Sequence, residues 1–378
     1  MLLIIPLKAP TRYDLQSPLV EWLDGPKEGT PADPMEYVSL KPSFASFQCR
    51  KDLKRLASLR NCLSDAITKA HSHKHALDDE ALRDCHEYHA ALLEFEKRGF
   101  PTRDEVAPHL RLEWRASVGP SKETHGSLVW ERGCTLWNIA ALESFLASSF
   151  QRDKDKESLK MVAKHSQNAA AAMRYLQAAI EGQSFEGVDL SVQSTQFWEK
   201  AMLAQAQMAA YEMASSSKQS LQSYLAMGAV GLWNEALALS QDTYLVSAMP
   251  KPVQEWGAEC KAHSLVLKAR AEYHQALHSR EGKDWGNEIA RLQNASEAIA
   301  VCVDFYQKSG MDTLQVVALQ RFIDDRLSTV VRENRLYGEE VPKSVPNIQA
   351  HVIAKLTDKP MPDTMTQPKV PLFTNLTK

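Results

Sequence analysis

Three histidines at alternate positions, His71, His73 and His75, are the first residues whose type and spacing suggest chemistry. An HxHxH run could ligate a transition ion if the loop folded back on itself. No cysteine or supporting partner is placed beside it by spacing, and Lys74, Asp78, Asp79 and Glu80 give the segment the composition of a solvated linker. His86-Glu87-Tyr88-His89 has the outline of a zincin helix, but its histidines stand three apart instead of four and Glu87 is not backed by a third ligand. The cysteines (Cys49, Cys62, Cys85, Cys134, Cys260, Cys302) have no CxxC pairing, and several lie in apolar helical stretches, where a thiol behaves as a small hydrophobe. No GxSxG, GxGxxG or Walker-type loop occurs; Gly282-Lys283 lacks the upstream glycine and following Ser/Thr that phosphate cradling requires. Acidic runs such as Asp153 to Glu157 read as solvated faces. The sequons at Asn294 and Asn375 read as chance matches. The expectation is a protein with no enzymatic activity, no metal ion and no cofactor.

The elements that must position any site come from the rest of the pattern. With 378 residues, 44% of them hydrophobic, the chain can bury a large core. Its 44 Lys+Arg against 47 Asp+Glu leave a formal net charge of -3, which gives no global attraction to nucleic acid. The apolar opening Met1 to Leu7 is interrupted by Pro6 and far too short to span a bilayer, and no signal-peptide pattern follows. A cytosolic protein is expected.

Proline cannot sit inside a helix without losing a hydrogen bond and clashing with the preceding turn, so its placement partitions the chain. The 18 prolines cluster before residue 43, between Pro101 and Pro120, at Pro250 and Pro252, and from Pro342 onward, leaving 121–249 and 253–341 free. Helices are predicted near 128–150, 158–181, 195–240, 254–281, 285–308 and 312–335, as successive antiparallel pairs without a clean 34-residue repeat. Leu159, Val162, Ala163, Ala169, Ala170, Met173, Leu176 and Ile180 form one stripe at three-and-four spacing, rich in alanine that lets helix axes approach closely. Leu136 to Leu146 is apolar around most of its circumference and reads as a central, nearly enclosed helix. Leu2 to Leu7 is β-prone and predicts a small sheet or an extended edge segment. The proline-rich end from residue 343 predicts an extended arm along the helices, pinned by Leu372, Phe373 and Leu376, with a disordered tail as the alternative.

Several stretches together resemble the Bro domain family. Pro6-Leu7-Lys8 with Asp14 to Val20 looks like its opening strand and first helix, and Leu128-Val129-Trp130-Glu131-Arg132-Gly133-Cys134-Thr135-Leu136-Trp137-Asn138 like its most characteristic helix. Met202-Leu203-Ala204-Gln205-Ala206-Gln207, Ala271-Glu272-Tyr273-His274-Gln275, Gly286 to Leu292, and Glu333-Asn334 with Tyr337-Gly338-Glu339-Glu340-Val341-Pro342 extend the likeness over nearly the whole chain. The resemblance implies a mainly α, boomerang-shaped single domain over 1–378. Its parts would be N-terminal strands and turns (1–43) with a small sheet, a tetratricopeptide-like helical hairpin core (44–341) and an extended proline-rich arm (342–378).

The resemblance also implies a function: an endosomal ESCRT-associated adaptor that binds the C-terminal amphipathic helix of an ESCRT-III subunit, a charged multivesicular body protein, in a concave apolar groove. Leu221 and Leu225 align with two apolar groove positions and share an i,i+4 face with Ala214 and Lys218. Ala210 stands where the family carries an aromatic, with Tyr211 adjacent, and Leu327 aligns with a further groove position. Losing such an aromatic anchor costs about 2 kcal/mol unless another side chain fills its volume. Peripheral endosomal membrane contact is a second expectation; nucleic acid and small-molecule substrates are not expected. The chain stops at Lys378 without a CaaX box, so a stand-alone domain and an excised one are both open. The competing expectation, motivated by Ala210 and the basic arm, is a diverged scaffold serving another partner, in pH-response signalling or membrane recruitment.

Overall fold

The computed structural model describes residues 2–24, 47–72, 79–98, 110–150, 155–183, 185, 187–356 and 361–373. In chain order the elements are α1 (Gln16–Asp24), α2 (Phe47–Ser72), α3 (Asp79–Lys97), β1 (Leu112–Arg115), β2 (Lys122–His125), α4 (Leu128–Phe150), α5 (Lys156–Ala179), α6 (Val192–Met213), α7 (Gln219–Ser240), α8 (Thr243–Ala248), α9 (Pro250–Glu281), α10 (Trp285–Lys308), α11 (Leu314–Tyr337) and α12 (Asp363–Thr366). The mainly helical class with a small sheet is as the sequence predicts. None of the described helices is long and apolar enough to cross a membrane. Contacts divide the chain into two units: Met1–Leu3, Ala147–Ala170 and Gln196–Leu356 form one, and Ile4–Leu146, Ala171–Thr195 and Thr357–Lys378 the other.

The helix ends follow local chemistry. Pro250 and Pro252 sit in the first turn of α9, where a missing N–H costs nothing. Asp284 caps α10 by accepting the Asn287 amide at 3.1 Å. Gly338 ends α11 with φ +69°, a left-handed conformation that favours glycine, and the Asn334 side chain brackets Glu339 by bonding both its N–H and its C=O. One predicted helix is corrected: 195–240 is two helices, broken at 214–218. The run Ser215-Ser216-Ser217 explains the break, because serine hydroxyls compete with the helix for backbone bonds. The main-chain amides of Ser215 and Ser217 donate to the Glu212 and Ala214 carbonyls and tighten the turn.

In the second unit, α4 is the enclosed helix that the sequence predicts, with every residue from Cys134 to Ser144 buried. Its Glu131 is fully buried and accepts from Arg60 Nε of α2 (2.8 Å), Tyr88 Oη of α3 (3.0 Å) and Trp114 Nε1 of β1 (2.6 Å). One carboxylate thus ties three elements to α4. Leu2–Leu7 is not a strand; it takes the extended form that the sequence left as the alternative. The sheet consists of β1 and β2, paired antiparallel from Leu112↔His125 to Arg115↔Lys122. The N-terminal segment is held by side chains of α4. Ser144 accepts the Ile5 amide (3.0 Å), Trp137 donates to the Pro6 carbonyl (2.7 Å), and Asn138 bonds both the N–H and the C=O of Lys8 (2.8 Å each). Burial disfavours the Lys8 ammonium, but Asp189 and Glu123 outweigh that and hold its pKa above the usual lysine value.

Three residues of the zincin-like outline make bonds within the fold. Glu87 accepts the Lys369 amide (3.0 Å), Tyr88 serves Glu131, and His89 Nδ1 donates to the Met365 carbonyl (2.7 Å). His73 and His75 lie outside the described residues, as does the side chain of His71. Burial raises the thiols of Cys49 and Cys302 to about 11 and Cys260 to about 12, and lifts Cys85 and Cys134 further, so none supplies a thiolate at neutral pH. Leu372 and Phe373 are buried, Phe373 edge-on to Phe95 with its amide on Asp52; Leu376 lies outside the described residues.

In the first unit, the arm after α11 runs without helix or strand to Leu356, and one buried side chain, Gln207, makes three hydrogen bonds to its main chain while the His351 amide donates to the Tyr224 carbonyl (2.9 Å). Gln207 donates to the Leu225 (3.1 Å) and His351 (2.8 Å) carbonyls and accepts the Ile353 (2.9 Å) and Ala354 (3.0 Å) amides. A Cβ on Gly228 would stand 2.4 Å from the His351 carbonyl oxygen, so only glycine lets the arm this close to α7. Arg291, paired with Glu272 at 3.0 Å, donates to the Pro346 carbonyl.

Three outcomes follow from these contacts. Glu131→Gln leaves the buried Arg60 charge without its counter-ion and is expected to lower unfolding stability by about 3 kcal/mol or more in urea titration. Burial depresses His89 to about 4, so its neutral form is favoured in the fold. Its stabilisation is complete above about pH 6.5 and is lost as pH falls towards 4, about 3 kcal/mol in all; His89→Gln should flatten that part of the acid-unfolding curve. Gln207→Leu should abolish hydrogen-exchange protection at the Ile353 and Ala354 amides while protection within α4 persists.

Candidate functional site

The candidate site lies within the first unit and starts from the composition of α6. Between Ala201 and Tyr211 every residue is buried, and alanines alternate with Gln205 and Gln207, so this helix is surrounded on all sides. Gln205 accepts the Leu3 amide and Gln207 clamps the arm, which explains two buried amides in an otherwise apolar hexapeptide. At its end, Tyr211 donates to His274 Nε2 of α9 (2.9 Å), and His274 Nδ1 donates to Gln219 Oε1 of α7 (2.8 Å). This chain of bonds requires the neutral imidazole with its proton on Nδ1. Burial and then the neighbouring Arg270 charge lower His274 to about 4, so the arrangement persists throughout the neutral range. Gln222 donates to the Ser215 and Ser217 carbonyls and fixes the turn between α6 and α7, while Ser223 Oγ donates to the Ala271 carbonyl and ties α7 to α9.

These ties leave an open cavity of about 710 Å³ between the end of α6, the middle of α9 and the start of α11. Met208, Leu267, Val316 and Leu319 give it an apolar floor, and Glu212, Glu259, Asp312 and Gln315 are among its polar groups. Tyr211 and Arg270 also line it. Burial raises the Tyr211 phenol above its ordinary value, with Arg270 pulling weakly the other way, so it is a neutral donor.

The structure separates the residues that the sequence grouped. Tyr211 lines the cavity. Ala210, beside it on α6, is buried and presents no docking surface of its own. On α7, Leu225 is 4% exposed and belongs to the core, whereas Leu221 is 39% exposed and faces outward with the exposed Lys218. Neither leucine is among the side chains that line the cavity. Leu327 packs against Ala276, Ile289, Leu292 and Val330, a cluster of α9, α10 and α11 away from the cavity lining. Sequence reasoning missed Met208, Val266, Met311 and Leu319. Each reads as an ordinary core position on its own helix or loop, and only tertiary packing gathers them.

A family model described as the BRO1-like domain matches residues 35–377. Programmed cell death 6-interacting protein of Homo sapiens is 31% identical over 229 residues, 59% of this chain and 25% of that protein. Vacuolar protein-sorting protein BRO1 of Candida glabrata is 24% identical over 239 residues, 62% of this chain and 26% of that protein. The region shared with these relatives is thus about a quarter of their length. Among solved structures, the ALIX BRO1 CHMP4C complex matches with a TM-score of 0.78 at 24% identity, covering 99% of this chain and 99% of that one. A structure described as the basis for endosomal targeting by the Bro1 domain matches at 0.72 and 20% identity, covering 94% and 92%. Likeness at these identities speaks for the fold; the family model, matched over nearly the entire sequence and over the helices built above, establishes that this chain belongs to the BRO1-like domain family.

Proposed function

We propose that this chain is a binding adaptor of endosomal sorting and not an enzyme, and that it captures the C-terminal amphipathic helix of an ESCRT-III subunit in support of multivesicular body sorting. The observation that carries the reading is the open cavity with its apolar floor and polar groups. Its volume falls in the range of ligand clefts, and three helices of fixed geometry hold it. An amphipathic helix docks by placing a few apolar side chains, spaced i, i+3/i+4 and i+7, into such a depression while its polar face stays in water. Family membership supports the reading, as does the relative seen with CHMP4C. Leu221 and Lys218 remain in the proposal as an outer flank of the docking face. In the cell, the chain would be cytoplasmic and recruited to endosomes by its partner, with peripheral membrane contact as a second attachment.

One observation favours the diverged-scaffold reading. At Ala210, where the family carries an aromatic anchor, the chain presents a buried methyl group, so this part of the docking energy has to come from Tyr211 and its neighbours.

Titration of the full chain with an ESCRT-III C-terminal peptide is expected to show micromolar or tighter binding. Met311→Asp, on the loop before α11, should weaken it at least tenfold, about 1.4 kcal/mol, and Leu221→Asp about threefold. Leu225→Asp should unfold the protein instead of acting on the site. No measurable binding at a few hundred micromolar would remove the ESCRT-III reading and leave the diverged scaffold.

A further inference from the structure

The cavity that accepts the helix in the reading above is charged as well as apolar. Glu259 comes from α9, Asp312 from the loop before α11 and Glu212 from α6, so carboxylates converge on one depression from three places in the chain. A single arginine, Arg270, lines it. The charged side chains are therefore predominantly acidic above a floor of Met208, Val316 and Leu319. Asp312 has a local role as well, since it accepts the Leu314 amide (3.0 Å) at the start of α11, but a capping carboxylate keeps its charge and its remaining lone pairs.

We propose that the cavity selects amphipathic helices that carry a lysine or arginine one turn from their apolar anchors, the cation lying between Glu259 and Asp312 while the anchors enter the apolar floor. The inference rests on the helix-binding reading and adds to it the chemistry that decides among candidate helices. Opposite charges at the edge of a partly desolvated depression contribute to selectivity because a like-charged competitor suffers repulsion there that it does not meet in water. An anionic side chain at the same position of the peptide would face carboxylates, so discrimination comes as much from rejection as from attraction.

The test uses two twenty-residue helical peptides with identical apolar faces, one with lysine and one with glutamate flanking the anchors, titrated by fluorescence anisotropy against the full chain beside an ESCRT-III tail peptide. The lysine peptide is expected to bind at least tenfold tighter than its twin at low salt, with the ratio shrinking as ionic strength rises. The double variant Glu259→Gln, Asp312→Asn removes both charges yet keeps a capping side chain on α11, and it should bring the ratio below threefold with an unchanged thermal midpoint. Equal affinity for the twins, or a preference that survives in the double variant, overturns the proposal. If only the tail peptide binds and Met311→Asp weakens it, the helix-binding reading stands and the charge rule falls. If none of the three binds, both fall together. Self-association that is lost in Met311→Asp would assign the cavity to a second copy of the chain and would also overturn the proposal.

Discussion

A chain segment that runs extended beside helices has no strand to pair with, yet its buried N–H and C=O groups still need partners. This constraint explains the polar residues placed inside apolar helices. Asn138 and Ser144 of α4 exist at their positions to receive Lys8 and Ile5, and Gln205 and Gln207 of α6 receive Leu3 and the arm at 351–354. Each replaces a sheet ladder with a side-chain amide or hydroxyl, and the loss of Asn138 or Gln207 would strand more than one main-chain group at once. Because Gln207 sits next to Met208 and one turn before Tyr211, the residue that secures the arm belongs to the helix whose end shapes the cavity.

Much of the fold is legible in the sequence for reasons of this kind. Proline exclusion marks the long helices because the penalty is local and large, and the all-round apolar run in α4 marks its enclosure. The serine run that divides 195–240 is also a local signal, outweighed in the reading by the continuous alanine-rich pattern on either side of it. The β-prone look of Leu2–Leu7 is real, but strand assignment depends on a neighbouring backbone, and here the neighbour is a helix presenting side chains. The strands formed instead at Leu112–Arg115 and Lys122–His125, where a turn containing Gly119 at φ +87° lets the chain reverse.

The site was less legible. An i,i+4 pair shares a helix face, but burial changes along the helix: Leu221 lies in the first turn of α7, beyond the packing that covers Leu225. Tyr211 lies near the end of α6, and the cavity lining joins 208–222 with segments around 159, 259–270 and 306–319 that no sequence period connects. Some of the side chains that suggested chemistry serve the fold: His89 holds Met365, Glu87 holds Lys369, and burial raises the pKa of the Cys49 and Cys260 thiols.

The central claim is that a depression walled by α6, α9 and α11 receives a partner helix. Methyl NMR of the full chain during titration with the ESCRT-III tail tests it most directly. The account predicts saturable shifts at Met208, Val266, Met311 and Leu319, with smaller ones at Leu221 and none at Leu327. Shifts confined to residues outside that depression would contradict it.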